Sequence, residues 1–133
     1  MKRWIALVLF LLLAPASAQQ AVVVPATMAS VPISISTATT TQLVAAISSK
    51  AIYVTNFNIV AAGTGNIQFV YGTGSACGTG TTNLTGAYNL TAQVGLVAGI
   101  GNGAILVVPA GNALCVTTSA AVGMYGSLAY AQF

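Results

Sequence analysis

The sequence contains no aspartate, no glutamate and no histidine, and only three of its 133 residues are basic. Lys2 and Arg3 stand at the N-terminus, so Lys50 is the single charged side chain beyond residue 18. Acid–base catalysis needs groups that exchange protons near neutral pH, and neither paired carboxylates nor a Ser-His-Asp triad can be assembled here. The usual ligands of zinc, calcium and magnesium are also missing. The sequence therefore predicts a protein that is not an enzyme, with no catalytic residues, no cofactor and no metal.

Two short patterns resemble chemical motifs but are expected to be structural. Ser48-Ser49-Lys50 places hydroxyls beside an amine, yet adjacent side chains do not normally face one another, and we expect Lys50 to be solvated. The glycine-rich stretch 72–80 lacks the Gly-Lys-Ser/Thr ending of a phosphate-binding loop. We interpret it as a loop that carries Cys77.

The lack of charge also limits the partners. One cation cannot neutralise a row of phosphates, so nucleic-acid binding is not expected. Near-zero net charge removes the repulsion that keeps copies of a protein apart, which favours self-association. The predicted partners are other copies of the chain or a surface or virion protein. A glycan is an alternative, because the five tyrosines could stack on sugars, although a small sandwich needs most of its aromatics for its core.

The N-terminus has the pattern of an export signal. A basic start is followed by the apolar run 4–13 and then by Ala16-Ser17-Ala18, the small-x-small pattern that signal peptidase recognises. We predict a signal peptide over 1–18, cleaved between Ala18 and Gln19, and an extracellular, periplasmic or surface-associated protein. The apolar run is shorter than the roughly 20 residues of a membrane-spanning helix, so membrane association is not expected.

Cys77 and Cys115 are the only cysteines, and both lie in the part predicted to be exported. In an oxidising compartment an even pair is most simply a disulfide. A metal site would need more ligands, and a reactive thiol would need a basic neighbour to lower its pKa. We therefore predict a disulfide between Cys77 and Cys115.

The rest of the chain predicts strands. Apolar and polar residues alternate over 51–60 and again at Ile67, Phe69 and Tyr71, and turn signals recur about every 8 to 12 residues. The pattern is typical of an all-β fold, an antiparallel β-sandwich or jelly roll of about seven or eight short strands with one disulfide. We place this domain at 33–133, after an extended arm at 19–32. The apolar stretch 94–108 is predicted as two strands joined by a hairpin turn at Gly101-Asn102-Gly103.

Four segments resemble a family of small, uncharacterised proteins with a cysteine pair, found in bacterial and environmental phage genomes. These segments are 71–77, 82–87, 109–115 and 126–133, and the resemblance covers roughly residues 40 to 133. The resemblance implies a compact β-domain with a linked cysteine pair, displayed on a virion or cell surface. It implies no activity and no site residues.

Together these features predict a non-enzymatic, exported structural or surface-display protein, cell-surface or virion-associated, that acts through self-assembly. Two alternatives remain open from the sequence. One is a secreted glycan- or protein-binding module whose binding surface is unknown. The other is a small outer-membrane β-barrel, suggested by a final strand that ends on Phe133.

Overall fold

The computed structural model of the protein describes residues 27–99, 101 and 103–133. The predicted signal peptide, its cleavage point between Ala18 and Gln19, and residues 19–26 of the predicted arm lie outside the described residues. The arm residues that are described lead directly into a strand. This strand begins at Ala29, before the predicted domain boundary at residue 33.

The described residues form ten strands and one short 3-10 turn, Ser75–Cys77. Strand-forming residues dominate the longest strands, where β-branched and aromatic side chains alternate with polar ones. The strands are β1 (Ala29–Ile35), β2 (Thr40–Val44), β3 (Ile52–Ala61), β4 (Gly65–Thr73), β5 (Thr79–Asn83), β6 (Tyr88–Leu90), β7 (Gly95–Gly99), β8 (Leu106–Val108), β9 (Ala113–Thr118) and β10 (Met124–Gln132).

The strands form two antiparallel sheets of five strands each. The first has the order β1-β10-β3, with β7 and β8 both on the far side of β3; the second has the order β2-β9-β4, with β5 and β6 both on the far side of β4. β7 and β8 lie one after the other along β3, and β5 and β6 lie one after the other along β4. Each of these two pairs takes the place of a single strand, so the ten strands fill four positions in each sheet. Along the chain the positions alternate between the two sheets, except that β5 and β6 follow β4 within the second sheet, and this is the strand arrangement of a jelly roll. The predicted all-β sandwich or jelly roll is confirmed.

The predicted hairpin in the stretch 94–108 is wrong. β7 pairs with residues 56–60 of β3 and β8 pairs with residues 52–54, both antiparallel. The two strands therefore run in the same direction, one after the other along β3, and do not pair with each other. β3 is long enough to offer both segments hydrogen-bond partners, which a pattern of local turn residues does not reveal. Asn102, at the centre of the predicted turn, lies outside the described residues.

The core lies between the two sheets. Inward side chains from both sheets form one buried cluster, in which the rings of Phe57 and Phe69 meet with centroids 4.8 Å apart. Because Phe57 belongs to β3 and Phe69 to β4, this contact joins the central strands of the two sheets. The two buried threonines are satisfied: the hydroxyl of Thr55 donates to the Ala129 carbonyl at 3.3 Å, and that of Thr118 to the Thr37 carbonyl at 2.6 Å.

The outer face of the second sheet is partly covered by the chain itself. Val70, Ala113 and Cys115 form a small buried cluster there with Cys77 of the 3-10 turn. We call this area the covered face. The predicted disulfide is confirmed: the Sγ atoms of Cys77 and Cys115 are 2.01 Å apart, and the bond fastens the loop between β4 and β5 onto β9. Disulfides form and persist in oxidising compartments.

Candidate functional site

The outer face of the first sheet has no comparable cover among the described residues. Outward side chains alternate with buried ones along these strands, except at the register shift between β3 and β10, where Val54 and Thr55 are both buried. The strand register brings the outward side chains into rows. We call this surface the open face. It comprises Ser30, Pro32, Ser34, Tyr53, Asn56, Asn58, Val60, Val97, Val107, Tyr125, Ser127 and Ala129.

The open face combines exposed apolar side chains with small polar ones. Val97 is 79% exposed, Val60 and Tyr125 are each 50% exposed, and Val107 is 46% exposed. None of the residues of the open face is charged, since Lys50 lies in the connection between β2 and β3. Several exposed apolar side chains on one sheet face are typical of a surface that binds a partner, rather than of one that stays in contact with solvent.

The polar groups at the centre of the open face are partly used within the sheet. The Asn58 side-chain oxygen accepts hydrogen bonds from the Ser127 backbone N–H at 2.7 Å and from the Ser127 hydroxyl at 3.1 Å. These bonds lie beside Gly126, where the Asn58 backbone carbonyl comes very close to β10. This part of the surface is already hydrogen-bonded, so burying it costs less than burying free polar groups.

Val97 is the most prominent apolar side chain of the open face. Its outward neighbours on β7 are Gly95 and Gly99, which have no side chains. A Cβ at Gly99 would lie 2.8 Å from the Cβ of Asn56, so the close contact between β7 and β3 requires glycine there. Val97 therefore projects alone at the β7 edge of the face.

The residues considered in the sequence are scattered over the structure. Tyr53 stacks on Phe133, with ring centroids 4.4 Å apart, while Tyr71, Tyr88 and Tyr130 pack against the core. The tyrosines therefore do not gather into one stacking platform for sugars. Ser48, Ser49 and Lys50 are exposed in the connection between β2 and β3, and the glycine-rich stretch 72–80 contains the disulfide-linked 3-10 turn.

Within the described part of the chain, three further features bear on chemistry. No three residues of the His, Cys, Asp and Glu types lie together as a metal site would require. Every buried side-chain nitrogen or oxygen there has a hydrogen-bond partner. No helix in those residues has the length and apolar character needed to cross a bilayer.

Stability is expected to depend little on pH. Neither Asp, Glu nor His occurs in the sequence and both cysteines are in the disulfide, so no side chain is available to change its protonation between about pH 4 and pH 9. The folded and unfolded states then bind equal numbers of side-chain protons, and the slope of unfolding free energy against pH is close to zero. Thermal melts across this range should agree within about 2 °C. A sharp transition inside it would contradict the expectation.

The open face was not identified from the sequence. It depends on which strands lie beside β3, and these strands come from distant parts of the chain. Two local signals were present: the outward series Asn56, Asn58 and Val60, and a valine isolated between Gly95 and Gly99. Neither signal alone indicates that residues 56–60 and Val97 lie on the same surface.

No family model matches the chain, and no curated protein matches it. Among solved structures, the chain is similar to one from the crystal structure of the T13 IBDV viral particle, with a TM-score of 0.41 and 15% sequence identity. The match covers 78% of this chain and 30% of the viral chain. A likeness this weak carries no functional argument, and function has to be argued from the residues themselves.

Proposed function

We propose that the protein is a non-enzymatic, exported structural protein, carried on a cell surface or a virion, that works by self-assembly. The observation that carries this proposal is the open face, an uncharged surface with exposed apolar side chains. The chain beyond residue 18 has one charged side chain, so copies of the protein do not repel one another.

The chemical inventory supports the non-enzymatic part of the proposal. Acid–base and nucleophilic mechanisms use carboxylates, imidazoles or activated thiols, and here the sequence has none of the first two and both thiols are joined. Export is supported by the N-terminal pattern that ends at Ala18 and by the disulfide, which is characteristic of oxidising compartments.

Self-assembly is expected to be visible in solution. The protein, produced by export from its own N-terminal sequence and then purified, should show a molar mass that rises with concentration in light scattering. Because apolar burial rather than ion pairing drives the association, the mass should not fall when salt is raised.

Two results would count against the proposal. A strict monomer at millimolar concentration shows that the protein does not assemble by itself. Dissociation at moderate salt concentration would show that ion pairs hold the assembly together. The proposal does not permit this, because the chain beyond residue 18 has a single charged side chain.

A further inference from the structure

We propose that the open face pairs with the open face of a second copy, forming a symmetric contact between two sheets. This inference rests on the proposed self-assembly and names the surface and the partner that it uses. Three features of the structure lead to it: the sheet edges, the covered face and the missing charge.

The edges of both sheets are poorly suited to pairing with another strand. In the first sheet, β1 carries Pro32, which lacks a backbone N–H, and the opposite edge is interrupted between β7 and β8. In the second sheet, β2 has an irregular register between Gln42 and Val44, and the opposite edge is interrupted between β5 and β6. Proline, bulges and short strands are the devices by which edge strands avoid joining other chains. Association therefore has to use a face.

Of the two outer faces, the chain already occupies one. The disulfide-linked turn Ser75–Cys77 packs on the second sheet, and the side chains of Val70 and Cys115 are buried beneath it. The open face has Val97 and Val60 exposed instead. Within the described residues, the chain thus covers the apolar centre of one outer face with its own loop and leaves the exposed valines of the other face uncovered.

The missing charge indicates what fits on the open face. A charged group of a partner would lose water there without meeting an opposite charge, which costs free energy. A second open face is uncharged and carries exposed apolar side chains, so two of them can bury one another. In a twofold contact the same patch is used by both copies, so one surface is sufficient.

Val97 is the residue on which the inference is best tested. Replacing Val97 with lysine should not disturb the fold, since the side chain is 79% exposed and points away from the core. In the contact, however, V97K places an unpaired charge against an apolar surface. We expect the dissociation constant to rise about a hundredfold or more in sedimentation equilibrium.

Two further variants make the comparison fair. V107K introduces the same charge elsewhere on the open face, where Val107 is 46% exposed, and should also weaken association. I47K introduces it at a side chain 45% exposed in the connection between β2 and β3, and should associate as the wild type does. Thermal melts of all three variants test whether they fold. If V97K does not fold, the association of V107K is measured in its place.

Mixing distinguishes a symmetric contact from one between unlike surfaces. Labelled V97K is added in trace amount to unlabelled wild-type protein. If open face meets open face, a V97K copy has no suitable partner and stays outside the oligomers. If the open face meets some other surface, V97K still offers that other surface and enters them, which would overturn the inference.

The outcomes separate the inference from the function on which it rests. A monomeric wild type contradicts self-assembly itself. An assembling wild type with V97K and V107K of unchanged affinity leaves the proposed function standing and refutes only the open-face contact. Weakened association in both variants, unchanged association in I47K and exclusion of V97K from wild-type oligomers together support it.

Discussion

Removal of the disulfide by the double substitution C77A/C115A is expected to lower the free energy of unfolding by about 4 kcal/mol. The bond joins residues separated by 38 positions, and in the chain-entropy model closing a loop of that length restricts the unfolded chain by this amount. For a domain of this size, the melting temperature should fall by about 15 °C. Calorimetry or circular dichroism measures the change.

The local structure indicates what changes in the folded state when the bond is removed. Ala76 and Cys77 both adopt positive φ angles, 48° and 58°, which are unfavourable for residues with a Cβ. The bond to Cys115 holds this turn in place on the covered face. Without the bond, the turn can relax and expose Val70.

Reductant provides the matched control for this prediction. It should lower the melting temperature of the wild type towards that of C77A/C115A and leave the variant unchanged. Equal melting temperatures for the oxidised wild type and the double variant would show that the covered face holds its loop by packing alone.

Replacement of Gly126 with alanine is expected to destabilise the fold by about 3 kcal/mol or more, enough to reduce the yield of folded protein. Gly126 lies in β10, which is hydrogen-bonded to β1 on one side and to β3 on the other. A Cβ at this position would lie well under 3.0 Å from the carbonyl oxygen of Asn58. Because β10 is hydrogen-bonded on both sides, neither β10 nor β3 can shift to make room for the added Cβ. Denaturant unfolding measures the loss.

Gly95 is the matched control for Gly126. It lies in the same sheet, but its nearest neighbour beyond an added Cβ is a methyl group of Val60 at 3.8 Å, an ordinary contact. Alanine at Gly95 should therefore change stability by less than about 1 kcal/mol. Similar losses in G126A and G95A would show that the close approach at Gly126 is not what requires glycine.

Much of the fold follows from local patterns. The alternation at Ile67, Phe69 and Tyr71 correctly predicts a strand with its apolar side inward, because successive side chains of a regular strand point to opposite faces of the sheet. The cysteine pair was predictable because the sequence offers Cys77 no other partner.

Features that depend on distant partners were not predictable in this way. The glycine-rich stretch 72–80 was interpreted as a loop, yet β4 extends to Thr73 and β5 begins at Thr79. Strand formation there depends on pairing between β4 and β5, because Thr79–Asn83 is exposed throughout and has no apolar side to bury. The open face was missed for the same reason: its rows exist only once β1, β10, β3 and β7 lie side by side.

The placement of Lys50 has a consequence for resistance to proteases. Proteases that cut after basic residues find one such peptide bond beyond residue 18, and proteases that need acidic residues find none. That bond lies between β2 and β3, and both of its polar groups are paired: the Lys50 carbonyl accepts a hydrogen bond from the Gly111 N–H, and the Ala51 N–H donates one to the Phe133 carbonyl. A protease has to open this paired backbone before it can cut. A cut there separates β1 and β2 from the rest of the chain, but β10 and β9 still hold these strands in the two sheets through their hydrogen bonds. A subunit cut at this bond therefore keeps both of its sheets.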